Sequence, residues 1–229
     1  MTGPGSQVLL VTAPPTIFGG VAVQTRGLAE FLRARGYRVT IAHYAALRTE
    51  GDLTVPVRRM LTGQRPGVRR YPVWGGFDCV AIGCRLPELE VTYYGDSRLW
   101  RDVIADHDRH IAIGGNALVS APLAASGLGH LVWCASDVRG DRADRQNAMS
   151  PVRRLFDRNI ISPLLRRLER RVVGGPGTFA TISHASARSL GGIGTGAGQG
   201  FEVLPIPVDP VRFSPPTTRP GPGIVGIAG

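Results

Sequence analysis

Residues 7–41 constrain this chain more than any other stretch: an apolar strand, a glycine-bearing turn, an amphipathic helix and a second strand follow in order. Gln7-Val8-Leu9-Leu10-Val11-Thr12 is a continuous apolar run of strand length, which suits a parallel strand covered on both faces. Two prolines between Ala13 and Phe18 stop it. Gly19-Gly20 then opens a segment whose apolar positions Val21, Leu28, Phe31 and Leu32 are expected on one helical face. Gly36 stands where a helix C-cap glycine belongs, and Tyr37-Arg38-Val39-Thr40-Ile41 restarts a strand. This succession predicts a right-handed βαβ unit. Its mouth, where free N–H groups and the positive end of the helix dipole meet, is where α/β sheets place ligands, anions above all.

A chain of 229 residues, 43% hydrophobic and 19% charged, has the material for a real globular core. No apolar run approaches the ~20 residues that cross a bilayer. No basic region followed by an apolar core marks a secretory signal. Cys79, Cys84 and Cys134 are odd in number and form no CxxC pair, so reduced thiols and a cytoplasmic location are expected. The formal charge of +10 comes entirely from arginine, since the chain has no lysine. With abundant Ala, Gly and Pro, this fits a GC-rich coding bias. The arginines are scattered except over 153–171 and have no aromatic residues interleaved, so nucleic acid is not an expected partner.

Further along, residues 47–67 read as a loop with a short helix, and short strands are expected at 68–74, 79–86, 90–94, 110–113, 131–135, 178–182 and 201–204. Asp96-Ser97 is suited to cap a helix running through Trp100 and Ile104, and Ser183 one running to Leu190. The first strand's glycine junction has a counterpart in Gly114-Gly115-Asn116, ahead of a helix over 117–125. Residues 151–173 are helical and basic, with Ser162-Pro163 placed as N-cap and first residue of a second helix. The predicted class is α/β: a Rossmann-like parallel sheet with helices on both faces. Residues 214–223 have the composition of a Pro/Gly linker, and Ile224-Val225-Gly226-Ile227 reads as a new strand with nothing after it.

Several local motifs point the same way: Gly19-Gly20-Val21 opening the first helix, the 28–36 segment closing it, and Thr181-Ile182-Ser183 before a short helix. Val203-Leu204-Pro205-Ile206-Pro207-Val208-Asp209, followed by Arg212-Phe213-Ser214-Pro215, is the fourth. Together these resemble the amino-terminal lobe of the retaining glycosyltransferases of family four, which have the GT-B architecture. The resemblance implies residues 1–213 as an acceptor-side lobe, 214–223 as linker and 224–229 as the first strand of a donor lobe. It implies transfer of a sugar from a nucleotide-diphosphate donor to an acceptor hydroxyl with retention, the nucleotide sugar being the co-substrate and no metal required. The acceptor would be a sugar, a lipid-linked or a small molecule. The family's second lobe supplies two glutamates separated by seven residues. Glutamates occur here at 30, 50, 88, 90, 169 and 202, so the donor half is expected to be missing and the chain alone inactive.

On this resemblance Gly19, Gly20 and Val21 are the candidates for the donor phosphates; a tight βα turn needing glycine for its φ angles is the plain reading. Ser136 stands where the family has a histidine beside the reacting sugar, and Asp137 at the following aspartate. Asp137 is suited to orient or deprotonate an acceptor hydroxyl, or to be a solvated carboxylate at a strand end. Gly114, Gly115 and Asn116 form either an acceptor loop or a plain turn. Arg139, Arg142 and His184 are further acceptor candidates, with solvated charge as the plain reading of the arginines.

Asp106-His107-Asp108-Arg109-His110 is dense in metal-ligand types, but adjacent positions point in different directions, so no metal is expected. Gly192-Ile193-Gly194-Thr195-Gly196-Ala197 mimics a dinucleotide fingerprint in the reversed context, helix before and strand after, and is set aside; no proper glycine fingerprint follows the first strand, which disfavours an NAD-binding oxidoreductase or epimerase. The apolar stripe Leu155, Phe156, Ile160, Ile161, Leu164, Leu165 and Leu168, ringed by arginines, either packs on the sheet, the default, or touches an anionic membrane peripherally. A non-catalytic sugar-binding or partner module from a split or degenerate transferase is the alternative to an enzyme.

Overall fold

The computed structural model describes residues 5–17, 19–147, 149–193 and 200–207. The expected linker at 214–223, the terminal strand at 224–229 and the motif from Val208 onward lie outside the described residues. Among the described residues eight strands form one sheet: β1 (Gln7–Thr12), β2 (Arg38–Tyr44), β3 (Val68–Val73), β4 (Phe77–Ile82), β5 (Arg109–Gly114), β6 (His130–Cys134), β7 (Gly177–Thr181) and β8 (Phe201–Val203). Their order is β3-β4-β2-β1-β5-β6-β7-β8, and every pair is parallel except β3 with β4. The protein is thus an α/β molecule with a mostly parallel, Rossmann-like sheet.

Alternation along each strand sends side chains to two cores. Leu9 and Val11 of β1, Val80 and Ile82 of β4 and Val132 and Cys134 of β6 join Trp100, Ile104, Leu123 and Val172 on one face. Val8 and Leu10 with Ile41, Cys79 and Ile113 meet Ala29, Leu28 and Leu32 on the other. The first face is covered by α2 (Arg98–Ala105), α3 (Ala121–Ser126) and α6 (Ser162–Val173), the second by α1 (Gly20–Ala34). Local signals operate as expected at several ends. The Ser97 hydroxyl accepts the Trp100 N–H at 3.3 Å, Ser183 accepts that of Ser186 at 3.2 Å, and Gly36 takes φ 83° after α1.

Four expectations change. Phe31 lies off the buried stripe of α1 and is exposed, its ring under the Arg35 guanidinium at 3.5 Å. Residues 90–94 form a 3₁₀ turn (Glu90–Tyr94) instead of a strand. There the Thr92 hydroxyl donates to the Leu89 carbonyl at 2.8 Å, while Val91 and Tyr94 pack on Leu118, Ile161 and Leu165. The 68–73 strand folds back antiparallel on β4 through Trp74-Gly75-Gly76, whose φ values are all positive. Finally, Ser162 is itself helical, with φ −62° and ψ −39°, and is not an N-cap: α5 (Pro151–Phe156) runs on into α6 through a single π turn (Asp157–Ile161), and the Ser162 hydroxyl donates to Asp157 at 3.0 Å. The wider turn lets the helix pass the Pro163 ring, which has no N–H to give and would otherwise press on the carbonyl four residues back.

Candidate functional site

Strand order reverses between β1 and β5. The chain builds outward from β1 to β2 and β4, then returns to the other side of β1 to lay down β5 to β8. Loops leaving neighbouring strands at such a point diverge to opposite faces, and the gap they leave at the carboxyl edge is a natural crevice. Thr12 and Ile113 are register partners there, so the two glycine junctions open side by side. Between them lies a cavity of about 230 Å³. Gly19, Gly20 and Val21 form one wall and Gly114, Gly115 and Asn116 the other. Tyr44, the last residue of β2, and Tyr94 close one side with rings 5.9 Å apart and nearly perpendicular.

The opposing polar corner is Asn116 with Asp141, which stands in the first turn of α4 (Val138–Asn147). The Asn116 amide N–H donates to the Asp141 carboxylate at 2.9 Å, and its carbonyl oxygen accepts the Leu118 N–H at 3.0 Å. This pair fixes which way the amide faces. It presents a carboxylate and an amide beside an aromatic wall, the groups that read hydroxyls and the apolar face of a ring. The volume suits one ring-sized group, since drug-sized ligands fill ~300 Å³ and more.

The four glycines around the cavity have different reasons to be glycine. Gly19 has φ 153° with ψ −178°, a conformation that other residues rarely adopt. At Gly114 a Cβ would lie 2.6 Å from the Val119 side chain, so packing excludes one. Gly20 has open space around it, and a Cβ on Gly115 would meet nothing closer than Asp141 at 3.6 Å. Neither has a positive φ. Backbone and packing leave those two glycines unexplained; the room they spare belongs to the cavity.

The other candidates fall elsewhere. Ser136 is spent on holding the second junction: its hydroxyl and its N–H both donate to the Gly115 carbonyl, at 2.9 and 2.8 Å. Asp137 accepts the Gly140 N–H at 2.7 Å and the Ser189 hydroxyl at 2.6 Å. With Arg139 it borders a second hollow, of about 540 Å³, which the buried Glu169 of α6 also lines. Glu169 accepts the Val138 N–H at 2.7 Å, and its carboxyl is pushed up to about 7 by burial, with Asp137 adding to the effect. His184 is exposed at the first residue of α7 (His184–Gly191). Arg142 is not solvated at all: it is 4% exposed, ion-paired with Glu90 at 2.6 Å and with Asp157. Of the metal-like run, His107 and His110 instead give ring N–H groups to the carbonyls of Val103 and Ile104.

No protein-family model matches the chain, and no curated protein matches it in sequence. The site therefore has to be read from its own residues. Sequence reasoning passed over Tyr44, Tyr94 and Asp141. Tyr44 was findable as a residue ending a strand next to the first junction. Asp141 was not, because only the pairing of β5 with β6 carries α4 across to Asn116.

Proposed function

We propose that the chain is the acceptor-side lobe of a retaining glycosyltransferase, taking a sugar from a nucleotide-diphosphate donor to an acceptor hydroxyl. The observation that carries this reading is the switch-point cavity between two glycine junctions, with Gly20 and Gly115 spared for no reason internal to the fold. The Gly19–Val21 junction opens α1, where N–H groups and the helix dipole favour a diphosphate and offset charge developing on it as a leaving group. Asn116 and Asp141 then receive the sugar or acceptor hydroxyl, and Tyr44 and Tyr94 pack against the ring. In this proposal the role in handling the hydroxyl passes from Ser136 and Asp137 to Asp141. The Ser136 hydroxyl is committed to Gly115, and the Asp137 carboxylate to Gly140 and Ser189.

A cytoplasmic setting fits the three free cysteines; burial pushes the Cys79 and Cys134 thiols up to about 11 and about 12, which leaves them inert. Calorimetric titration with nucleotide-diphosphate sugars and with simple saccharides tests the reading. Binding with a Kd on the order of 1 mM, weakened at least tenfold in Asn116→Ala and Asp141→Asn, is the expected result. Unchanged binding in both variants removes the assignment of the cavity. Binding without any donor turnover or transfer, in a protein that carries both lobes, favours the sugar-binding module instead.

A further inference from the structure

The α5–α6 helix splits its apolar residues between two directions. Ile161 and Leu165 are buried against Leu118 and Val138. Val152, Leu155, Phe156, Ile160 and Leu164 are 81, 63, 45, 46 and 46% exposed, five large apolar side chains within thirteen residues. Singly exposed apolar residues are ordinary, but a run of them along one helix marks a surface that something covers. The packing expected by default thus accounts for only part of the stripe.

The charge around the face says what covers it. Arg153, Arg158, Arg166, Arg167 and Arg171 are exposed, and none is in an ion pair with a described carboxylate. The only two acids of the helix, Asp157 and Glu169, are buried and engaged inward. On one shoulder Arg154, Arg158 and Arg166 recur at helical spacing and, with Arg139, border a hollow of about 530 Å³. An exposed apolar stripe beside exposed arginines, five of which have no ion pair with a described carboxylate, is the pattern of a helix lying in a membrane interface, with side chains inserted at the acyl boundary and guanidiniums on lipid phosphates. No helix among the described residues is long and apolar enough to cross a membrane.

We infer that this face docks the protein flat on an anionic phospholipid surface. The inference is independent of the transferase reading. Flotation of the full chain with phosphatidylglycerol vesicles, against phosphatidylcholine vesicles, tests it. Binding is expected to the anionic vesicles only and to fall as salt is raised. Arg158→Glu is expected to lower the partition roughly fivefold or more, on the usual strength of one basic residue near such a surface. Leu155→Ser with Phe156→Ser is expected to abolish flotation, and both residues are exposed, so the fold is retained, which circular dichroism checks. Arg58→Glu, an exposed arginine outside this helix, on the 3₁₀ turn Val57–Thr62, is expected to change binding little. No flotation at low salt, equal loss in Arg58→Glu, or binding that survives the Leu155/Phe156 pair overturns the proposal. So does a stable dimer on size exclusion that the same pair dissociates, since a second copy would then cover the face.

Discussion

At the scale of single residues, three glycines separate what the fold needs from what the cavity needs. Gly114→Ala drives a methyl into Val119 and should destabilise the protein by about 1–3 kcal/mol, the usual cost of overpacking. Gly20→Ala and Gly115→Ala should leave the thermal midpoint within a few degrees of the parent while weakening ligand in the calorimetric titration. A Gly115→Ala protein that unfolds as readily as Gly114→Ala contradicts the division. Titration offers a second contrast. Burial holds the Glu169 carboxyl at about 7 against an ordinary 4.5, so the folded state binds its proton more tightly than the unfolded chain does. The stability it contributes is complete below 4.5 and is lost as pH rises to about 7. His43, His107 and His130 are held below 6.5 by burial and act in the opposite sense, their contribution being lost as pH falls. In Glu169→Gln, where the side-chain oxygen still accepts the Val138 N–H, urea midpoints should rise across the 4.5–7 interval relative to the parent. A parent profile that climbs steadily with pH and is matched by the variant refutes this assignment.

At the scale of elements, the wall that carries Tyr94 is held by charge as well as by packing. Arg142 of α4 reaches both Glu90 in the 3₁₀ turn and Asp157 in the π turn, joining three segments that are remote in sequence. Removing it takes the guanidinium away from a buried Asp157, which keeps the Ser162 hydroxyl, and breaking a buried ion pair in this way costs about 3–5 kcal/mol. Arg142→Met should therefore lower stability by that order in urea denaturation and loosen the Tyr94 side of the cavity; a change under ~1 kcal/mol would mean the pairs are idle. The elements themselves differ in how far they could be foreseen. β1, β5 and β6 were legible because strands buried on both faces read as unbroken apolar runs, and α2 and α7 because Ser97 and Ser183 announce their starts. The 3₁₀ turn at 90–94 was not: its alternation mimics a strand, and only Thr92 bonding back to Leu89 shows the reversal. The continuity of α5 with α6 was hidden too, since a serine before a proline is the ordinary mark of a new helix, and a widened turn leaves no trace in composition.

At the scale of the whole molecule, the class of fold and both glycine junctions could be read from sequence, while the meeting of the junctions could not. Each junction is local, but their closeness depends on β5 pairing with β1 across more than a hundred residues of chain. The polar corner of the cavity has the same origin, through β6 and α4. The antiparallel hairpin was equally out of reach, because direction is decided by the partner strand, and it has a consequence for how molecules meet. Its outer member, β3, carries Arg69, Arg70 and Pro72 along the sheet's margin. A residue with no amide proton and two bulky cations make that border a poor template for another backbone. Crowding copies of this protein together should therefore not zip them into continuous ribbons from that side.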